Sequence, residues 1–147
     1  MIMSRSTLIT GPEPSVKRIV LVGLLLVVAL TGAATVQAGE LRITEMVVTS
    51  KISRGKPIDA IHRISSATVK ALYCFTRINN PSAEETTITH VWYRNGQVAG
   101  EYQLPVSGTR WRTYSRKAVE KGMTGDWRIE ARDPDGNLLK EVKFRMN

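Results

Sequence analysis

One cysteine, Cys74, stands in 147 residues. A lone thiol excludes an intramolecular disulfide, so the fold must rest on ordinary packing. Cys74 lies in the apolar run Ala71-Leu72-Tyr73-Cys74-Phe75 and reads as a small core hydrophobe. Histidine is as scarce, with His62 and His90 only. A metal centre takes three or four convergent ligands, and no tight ligand spacing exists among His62, Cys74 and His90, so no metal is expected. No Gly-rich phosphate loop or dinucleotide fingerprint occurs, and no cofactor is expected. Acidic residues number 13 against 21 basic ones. Glu84 and Glu85 are adjacent in a loop, and Asp133 and Asp135 belong to a turn, so neither pair suggests acid–base catalysis. After Leu41 no helical periodicity of convincing length occurs.

What is present begins with one apolar run. Lys17 and Arg18 precede Ile19–Leu30 (IVLVGLLLVVAL), small residues follow, and then Val36-Gln37-Ala38. A charged start, an apolar centre of this length and an A-x-A-like site describe an export signal cleaved between Ala38 and Gly39. The alternative is an uncleaved membrane anchor, although a spanning helix needs about 20 apolar residues. Thr31, Gly32, Thr35 and Gln37 dilute the run beyond Leu30. Positive charge stays inside, so both alternatives place the following domain outside the inner membrane. No cysteine stands directly after the run, in residues 31–39, to carry a lipid. Residues 39–147 then form one domain, of a size that buries an independent core. Three basic residues and one acid precede Gly39, so the charge of 39–147 is +6 against +8 for the whole chain. That balance favours anionic partners: lipid head groups, an anionic glycan or an acidic protein face. Nucleic acid is not expected outside the cytoplasm.

From Leu41 onward period-two alternation dominates, the mark of half-buried strands. Strands are expected over Leu41–Ile52, Thr68–Ile78, Thr86–Arg94, Gln97–Leu104, Arg110–Arg116, Asp126–Arg132 and Leu138–Met146. Ile58–Ser66 reads equally as strand or loop. Thr68–Ile78 is apolar on both faces near its middle and should be central. Asn95-Gly96 suits the two positive φ angles of a type I′ hairpin. Pro105–Thr109 and Asp133-Pro134-Asp135-Gly136 read as turns, and Lys117–Thr124 as a connection with room for a helical turn. In the last strand Leu138, Val142, Phe144 and Met146 share the apolar phase. About seven short strands separated by turns predict an all-β, immunoglobulin-like antiparallel sandwich, with a small barrel as the alternative.

Four blocks stand in order along these strands: Leu72-Tyr73-Cys74-Phe75-Thr76, His90-Val91-Trp92-Tyr93, Arg110-Trp111-Arg112-Thr113-Tyr114-Ser115-Arg116-Lys117, and Gly125-Asp126-Trp127-Arg128-Ile129. Asp135-Gly136 and Phe144 follow. Together they resemble the bacterial domain-of-unknown-function family numbered 2914, over roughly residues 55–146. The resemblance implies an exported or membrane-tethered β-domain and no established activity.

Two residue groups are candidates for binding. His90 and Trp92 point the same way on one strand, either as a ligand platform or as core residues; aromatic side chains dominate cores, which favours the second. Arg110, Arg112 and Arg116 alternate on one strand face with Tyr114 among them, and Lys117 and Lys121 follow. Guanidinium groups bind phosphate and carboxylate in a bidentate way. An ordinary solvated face, charged against edge pairing, is the competing account. Arg128 and Arg132 suggest a neighbouring outward face shared with Glu130, which should be wet. Ser115 with Lys117 admits a Ser–Lys nucleophile, which needs a base within reach, and a hydrolase would use Ser115 or His90. The favoured expectation is a non-enzymatic periplasmic binding or scaffolding module. A structural domain tethered to the inner membrane comes second and a hydrolase third.

Overall fold

Alternating apolar and polar side chains build almost every element of this chain. The computed structural model describes residues 39–147. The signal or anchor segment expected over 1–38 lies outside the described residues. Ten strands follow in order: β1 Arg42–Thr49, β2 Ile52–Ser53, β3 Lys56–Pro57, β4 Arg63–Ile64, β5 Ala71–Asn79, β6 Thr86–Arg94, β7 Gln97–Val106, β8 Arg110–Ala118, β9 Gly125–Arg132 and β10 Leu138–Met146. Seven of them are eight to ten residues long, and no helix occurs among the described residues. One sheet has three strands in the order β1-β5-β8, a second has five in the order β4-β10-β9-β6-β7, and β2 and β3 form a separate two-residue pair. Neither large sheet pairs with the other, so the architecture is two packed sheets and not a closed barrel.

The interior is assembled from the inward phase of both sheets. Met46 and Val48 of β1 and Leu72 and Cys74 of β5 meet Trp92 of β6, Trp127, Ile129 and Ala131 of β9, and Phe144 and Met146 of β10. At its heart Trp92 stands edge-on to Trp127 (6.4 Å between ring centroids) and to Phe144 (6.3 Å), while Trp127 and Phe144 stack at 5.8 Å. Edge-to-face and offset contacts of this kind suit the ring quadrupole. A smaller cluster of Ile78, Ile88 and Val106 is flanked by Leu104, Trp111 and Leu139. As expected, β5 is central in its sheet, with Leu72, Cys74, Thr76 and Ile78 all buried. Burial also pushes the Cys74 thiol pKa well above its usual value, which keeps it protonated.

Several elements differ from the sequence reading. The first strand ends at Thr49, and Ile52–Pro57 turns into the β2–β3 pair around Gly55. Ile58–Ser66 is mostly loop, but Arg63 and Ile64 run parallel to the end of β10 and cover its edge. Pro105 lies inside β7 and not in a turn; β7 is an edge strand, where a missing N–H costs no ladder bond. Lys117 belongs to β8, and no helical turn follows it. In β10 a bulge between Leu138 and Lys140 reverses the phase. Leu139 packs inward, and Leu138 is 50 % exposed.

The Asn95-Gly96 hairpin takes positive φ at both residues, 49° and 80°, as a type I′ turn requires. It also anchors the start of β9. Asn95 N donates to the Asp126 carbonyl (2.7 Å), and Asp126 N donates back to Asn95 Oδ1 (3.0 Å). Gly125 passes beneath this lock at φ 129°, where an added Cβ would lie 2.4 Å from Asn95 Oδ1. Gly125→Ala should therefore cost about 1–3 kcal/mol through backbone strain alone, and more through the clash. Urea unfolding is the measurement. Asn95→Gly removes both the clash and the acceptor of the Asp126 N–H, so Gly125→Ala should cost less in the Asn95→Gly background, measured against Asn95→Gly alone, than in the wild type.

Candidate functional site

Register decides which side chains share a surface, because residues directly opposite in an antiparallel ladder lie on one face. The outer face of the three-stranded sheet consists of four cross-strand rows: Thr49, Tyr73 and Arg116; Val47, Phe75 and Tyr114; Glu45, Arg77 and Arg112; Arg42, Asn79 and Arg110. Arg110, Arg112, Tyr114 and Arg116 thus share one face, as their alternation predicted, and each is exposed. Tyr114, 48 % exposed, meets Tyr73 edge-on at 5.8 Å. Phe75 is only 1 % exposed although it belongs to neither interior cluster. It is flanked on this outer face by Val47 and Tyr114, so the face has an aromatic centre and an arginine rim. The sequence pattern did not single out Arg77, Arg42 and Tyr73 as companions of Arg112, Arg110 and Arg116. Only pairing of β1 and β8 to either side of β5 brings them there.

Charge on this face is largely unneutralised. Arg77 pairs with Glu45 at 3.1 Å. No ion pair among the described residues engages Arg42, Arg110, Arg112 or Arg116. On the outer face of the five-stranded sheet four cations are paired among the described residues, and Arg63, beside Arg145 on the β4 edge, is not. Arg128 and Arg132 both bind Glu130, Lys143 pairs with Glu141 at 3.5 Å, and Arg145 with Asp126 at 2.8 Å. Arg128 and Arg132 therefore do not adjoin the β8 arginines; they occupy the other side of the sandwich. Glu130, expected to be wet, is 4 % exposed. Two guanidinium groups and the Tyr93 hydroxyl hold it, and Arg128 also lies 4.3 Å over the Tyr93 ring. Such pairing is what allows a carboxylate to leave water.

Lys117 is separated from the arginine strip. It lies opposite Leu72 on the inner phase of β8. Its Nζ donates to the carbonyl of Ala99 at 2.6 Å. Ala99 is the extra residue where β7 bulges against Trp92 and Tyr93. The ammonium thus ties together the neighbouring edges of the two sheets and is not a base for Ser115.

His90 and Trp92 are each 0 % exposed, so neither is a platform for a ligand. They belong to a hydrogen-bonded chain between the sheets. Trp92 Nε1 donates to Ser115 Oγ at 2.9 Å, and Ser115 Oγ lies 2.8 Å from His90 Nδ1. His90 Nε2 lies 3.4 Å from Thr76 Oγ1, which donates to the Thr113 carbonyl at 3.4 Å. One assignment uses every proton: Ser115 donates to Nδ1, and Nε2–H donates to Thr76. The opposite tautomer leaves the Ser115 hydroxyl proton without an acceptor in this chain. Ser115 and His90 thus have the separation of a nucleophile and base. Both are nevertheless enclosed between the sheets, and the indole already occupies the serine oxygen. Among the described residues no three potential ligands gather around a metal-sized space.

Burial lowers the His90 pKa from 6.5 to about 4, because a desolvated imidazolium is disfavoured. The unfolded chain binds the proton first, so this contribution to stability is complete above pH 6.5 and is lost as pH falls toward 4. The loss should be on the order of 3 kcal/mol across that window. Chemical unfolding at pH 7, 5.5 and 4 measures it. His90→Gln should be less stable at pH 7 and should flatten the dependence, whereas a wild-type stability unchanged from pH 7 to 4 would contradict the buried neutral ring.

Comparison with solved structures places this architecture among immunoglobulin-like domains. The chain is similar to an immunoglobulin-like protein from Pseudomonas aeruginosa, with a TM-score of 0.51 and 16 % identity, covering 76 % of this chain and 99 % of that one. At such identity the likeness concerns the fold alone. A β-glucosidase from Listeria innocua aligns with a TM-score of 0.45 and 8 % identity over 74 % of this chain and 16 % of that one. One from Kluyveromyces marxianus aligns at 0.43 and 10 % over 74 % and 14 %. Neither bears on function. No curated protein matches the sequence. The blocks around His90, Arg110 and Gly125 fall inside a family match that begins at β6, later than the extent of 55–146 read from the sequence, and leaves Leu72–Thr76 outside. Residues 85–146 match the model of the family described as Protein of unknown function (DUF2914), the family that those blocks resemble.

Proposed function

We propose that this chain is a non-enzymatic binding module of the bacterial cell envelope, working in the periplasm through the outer face of the β1-β5-β8 sheet. The observation that carries this reading is the contrast between the two outer faces. On one, Arg128, Arg132, Lys143 and Arg145 are each matched by a carboxylate. On the other, Arg42, Arg110, Arg112 and Arg116 stand without one around Tyr73 and Tyr114. Exposed arginines beside an exposed Tyr114 ring and a half-buried Tyr73 are the composition of a recognition surface, and the sign of the charge selects an anionic partner. Export rests on the charged and apolar N-terminal pattern ending at Ala38. The enclosure of the Ser115–His90 pair supports a role without catalysis. The domain of this reading starts at Gly39. If the leader is retained, the same face works from an inner-membrane tether.

Two measurements test it. Replacing Arg110, Arg112 and Arg116 together by Ala should lower the salt needed to elute the protein from an immobilised acidic polysaccharide, while Lys143→Ala with Arg145→Ala, on exposed ion pairs of the other face, should not. Equal elution of both variants would remove the basis for the proposal. N-terminal sequencing of protein from the periplasmic fraction should begin at Gly39; a membrane-bound chain that keeps residues 1–38 would select the tethered form instead.

A further inference from the structure

Within the basic face, one corner is shaped differently from a flat sheet. A cleft of about 710 Å3 is lined by Thr44, Arg77, Asn79, Arg110, Trp111 and Arg112 among others. That volume lies in the range of small-ligand sites. Thr44 is the extra residue of a bulge in β1 between Ile43 and Glu45. Bulges re-aim side chains and bend a strand away from its partner, and here the bulge coincides with the cleft. A second cleft, about 590 Å3 between Tyr93, Arg128, Lys143 and Arg145 on the other sheet, has its cations matched by Glu130, Glu141 and Asp126.

The charges at the first cleft are arranged at a cost. Arg77 lies directly opposite Arg112 in the ladder, and Asn79 separates Arg42 from Arg110 in the next row. Like charges directly opposite each other destabilise a sheet. Glu45 is the one acid in these two rows, and it is taken by Arg77. The two rows thus hold four arginines against one carboxylate, with Arg110 and Arg112 lining a recess and lacking an ion-pair partner among the described residues. A guanidinium presents five donors in a planar fork that matches carboxylate or phosphate oxygens in pairs. Trp111 and Ile78 also border the cleft but belong to the inward phase, where Trp111 flanks the Ile78 cluster, and the space is larger than a bare ion requires.

The geometry points to an oxyanion-binding subsite in this cleft, where Arg110 and Arg112 hold a carboxylate or phosphate group carried by a small ligand or a chain end. This deepens, and rests on, the reading of the face as an anion-binding surface, but it locates the recognition at one corner and assigns it to two side chains. Arg116 and Tyr114 lie outside the cleft and contribute to a larger partner without contributing to the subsite.

The experiment titrates the isotopically labelled protein, as recovered from cells, with inorganic phosphate and separately with malonate. Chloride keeps ionic strength constant. Amide shifts at Thr44, Asn79, Arg110 and Arg112 should saturate with at least one probe, and the probe that saturates names the oxyanion. Arg110→Gln and Arg112→Gln should each weaken that binding at least tenfold, with Arg132→Gln unchanged. In chloride alone Arg112→Gln should melt at or above the wild-type temperature, since it removes a like-charge pair. The subsite is overturned by a native spectrum that saturates with neither probe, by equal weakening in Arg132→Gln, or by a lowered melting temperature of Arg112→Gln. Retention on the acidic polysaccharide with no saturation here would leave the broad face standing without the subsite. Saturation without retention would do the reverse.

Discussion

The two sheets are held in one relative position by Trp92. Its ring is wholly buried and edge-on to Trp127 and Phe144 of its own sheet, while its N–H reaches across the interior to Ser115 of the other. An apolar contact tolerates sliding, but a buried indole N–H without an acceptor costs on the order of 1–3 kcal/mol. The sheets are therefore aligned where β8 presents Ser115 and β6 presents Trp92. From Ser115 the hydrogen bonds continue through His90 and Thr76 to the Thr113 backbone. No buried side-chain nitrogen or oxygen among the described residues lacks a partner. A polar chain in a hydrophobic interior is stabilising only when every member is satisfied, and here it is. The residues that most resemble a catalytic pair thus serve the packing of the sandwich.

With the sheets aligned, the outer surfaces acquire different characters. Glu130 draws Arg128 and Arg132 together on the five-stranded sheet, and Lys143 and Arg145 each find an acid, with Arg63 on the β4 edge outside these pairs. On the three-stranded sheet the alternation of β8 places arginines outward, and β5 adds Arg77 directly opposite one of them. An uncompensated row of this kind does not help the fold. Its presence beside an aromatic centre is what gives the surface a functional interpretation.

Much of this was legible in the chain. The bounds of β6 and β10 follow from alternation and turn residues, and Asn95-Gly96 identifies its hairpin through the positive φ that both positions need. The inward phase of β5 is plain because Leu72, Cys74, Thr76 and Ile78 are small or apolar at every second position. The failures share one cause. Leu138 and Leu139 exchange faces through a bulge, and a bulge has no signature when both neighbours are leucine. Lys117 and Arg116 look equivalent as cations until the inner phase of β8 is known to face Ala99. Glu130 looks solvated until two strand neighbours fold over it, and Arg128 looks adjacent to Arg112 until their strands prove to belong to different sheets.

Local chemistry in the sequence determined which segments extend, where they reverse, and which side of each strand is apolar, because these depend on residues within a few positions of one another. It also determined that Arg110, Arg112, Tyr114 and Arg116 would point one way, since strand geometry has a period of two. Only the tertiary structure decided what lies beside them. Pairing order set Arg77 and Arg42 in the neighbouring rows, sheet alignment enclosed His90 and Ser115, and a bulge at Thr44 coincides with the basic cleft. These outcomes depend on contacts between residues far apart in the chain, whose partners no local pattern names.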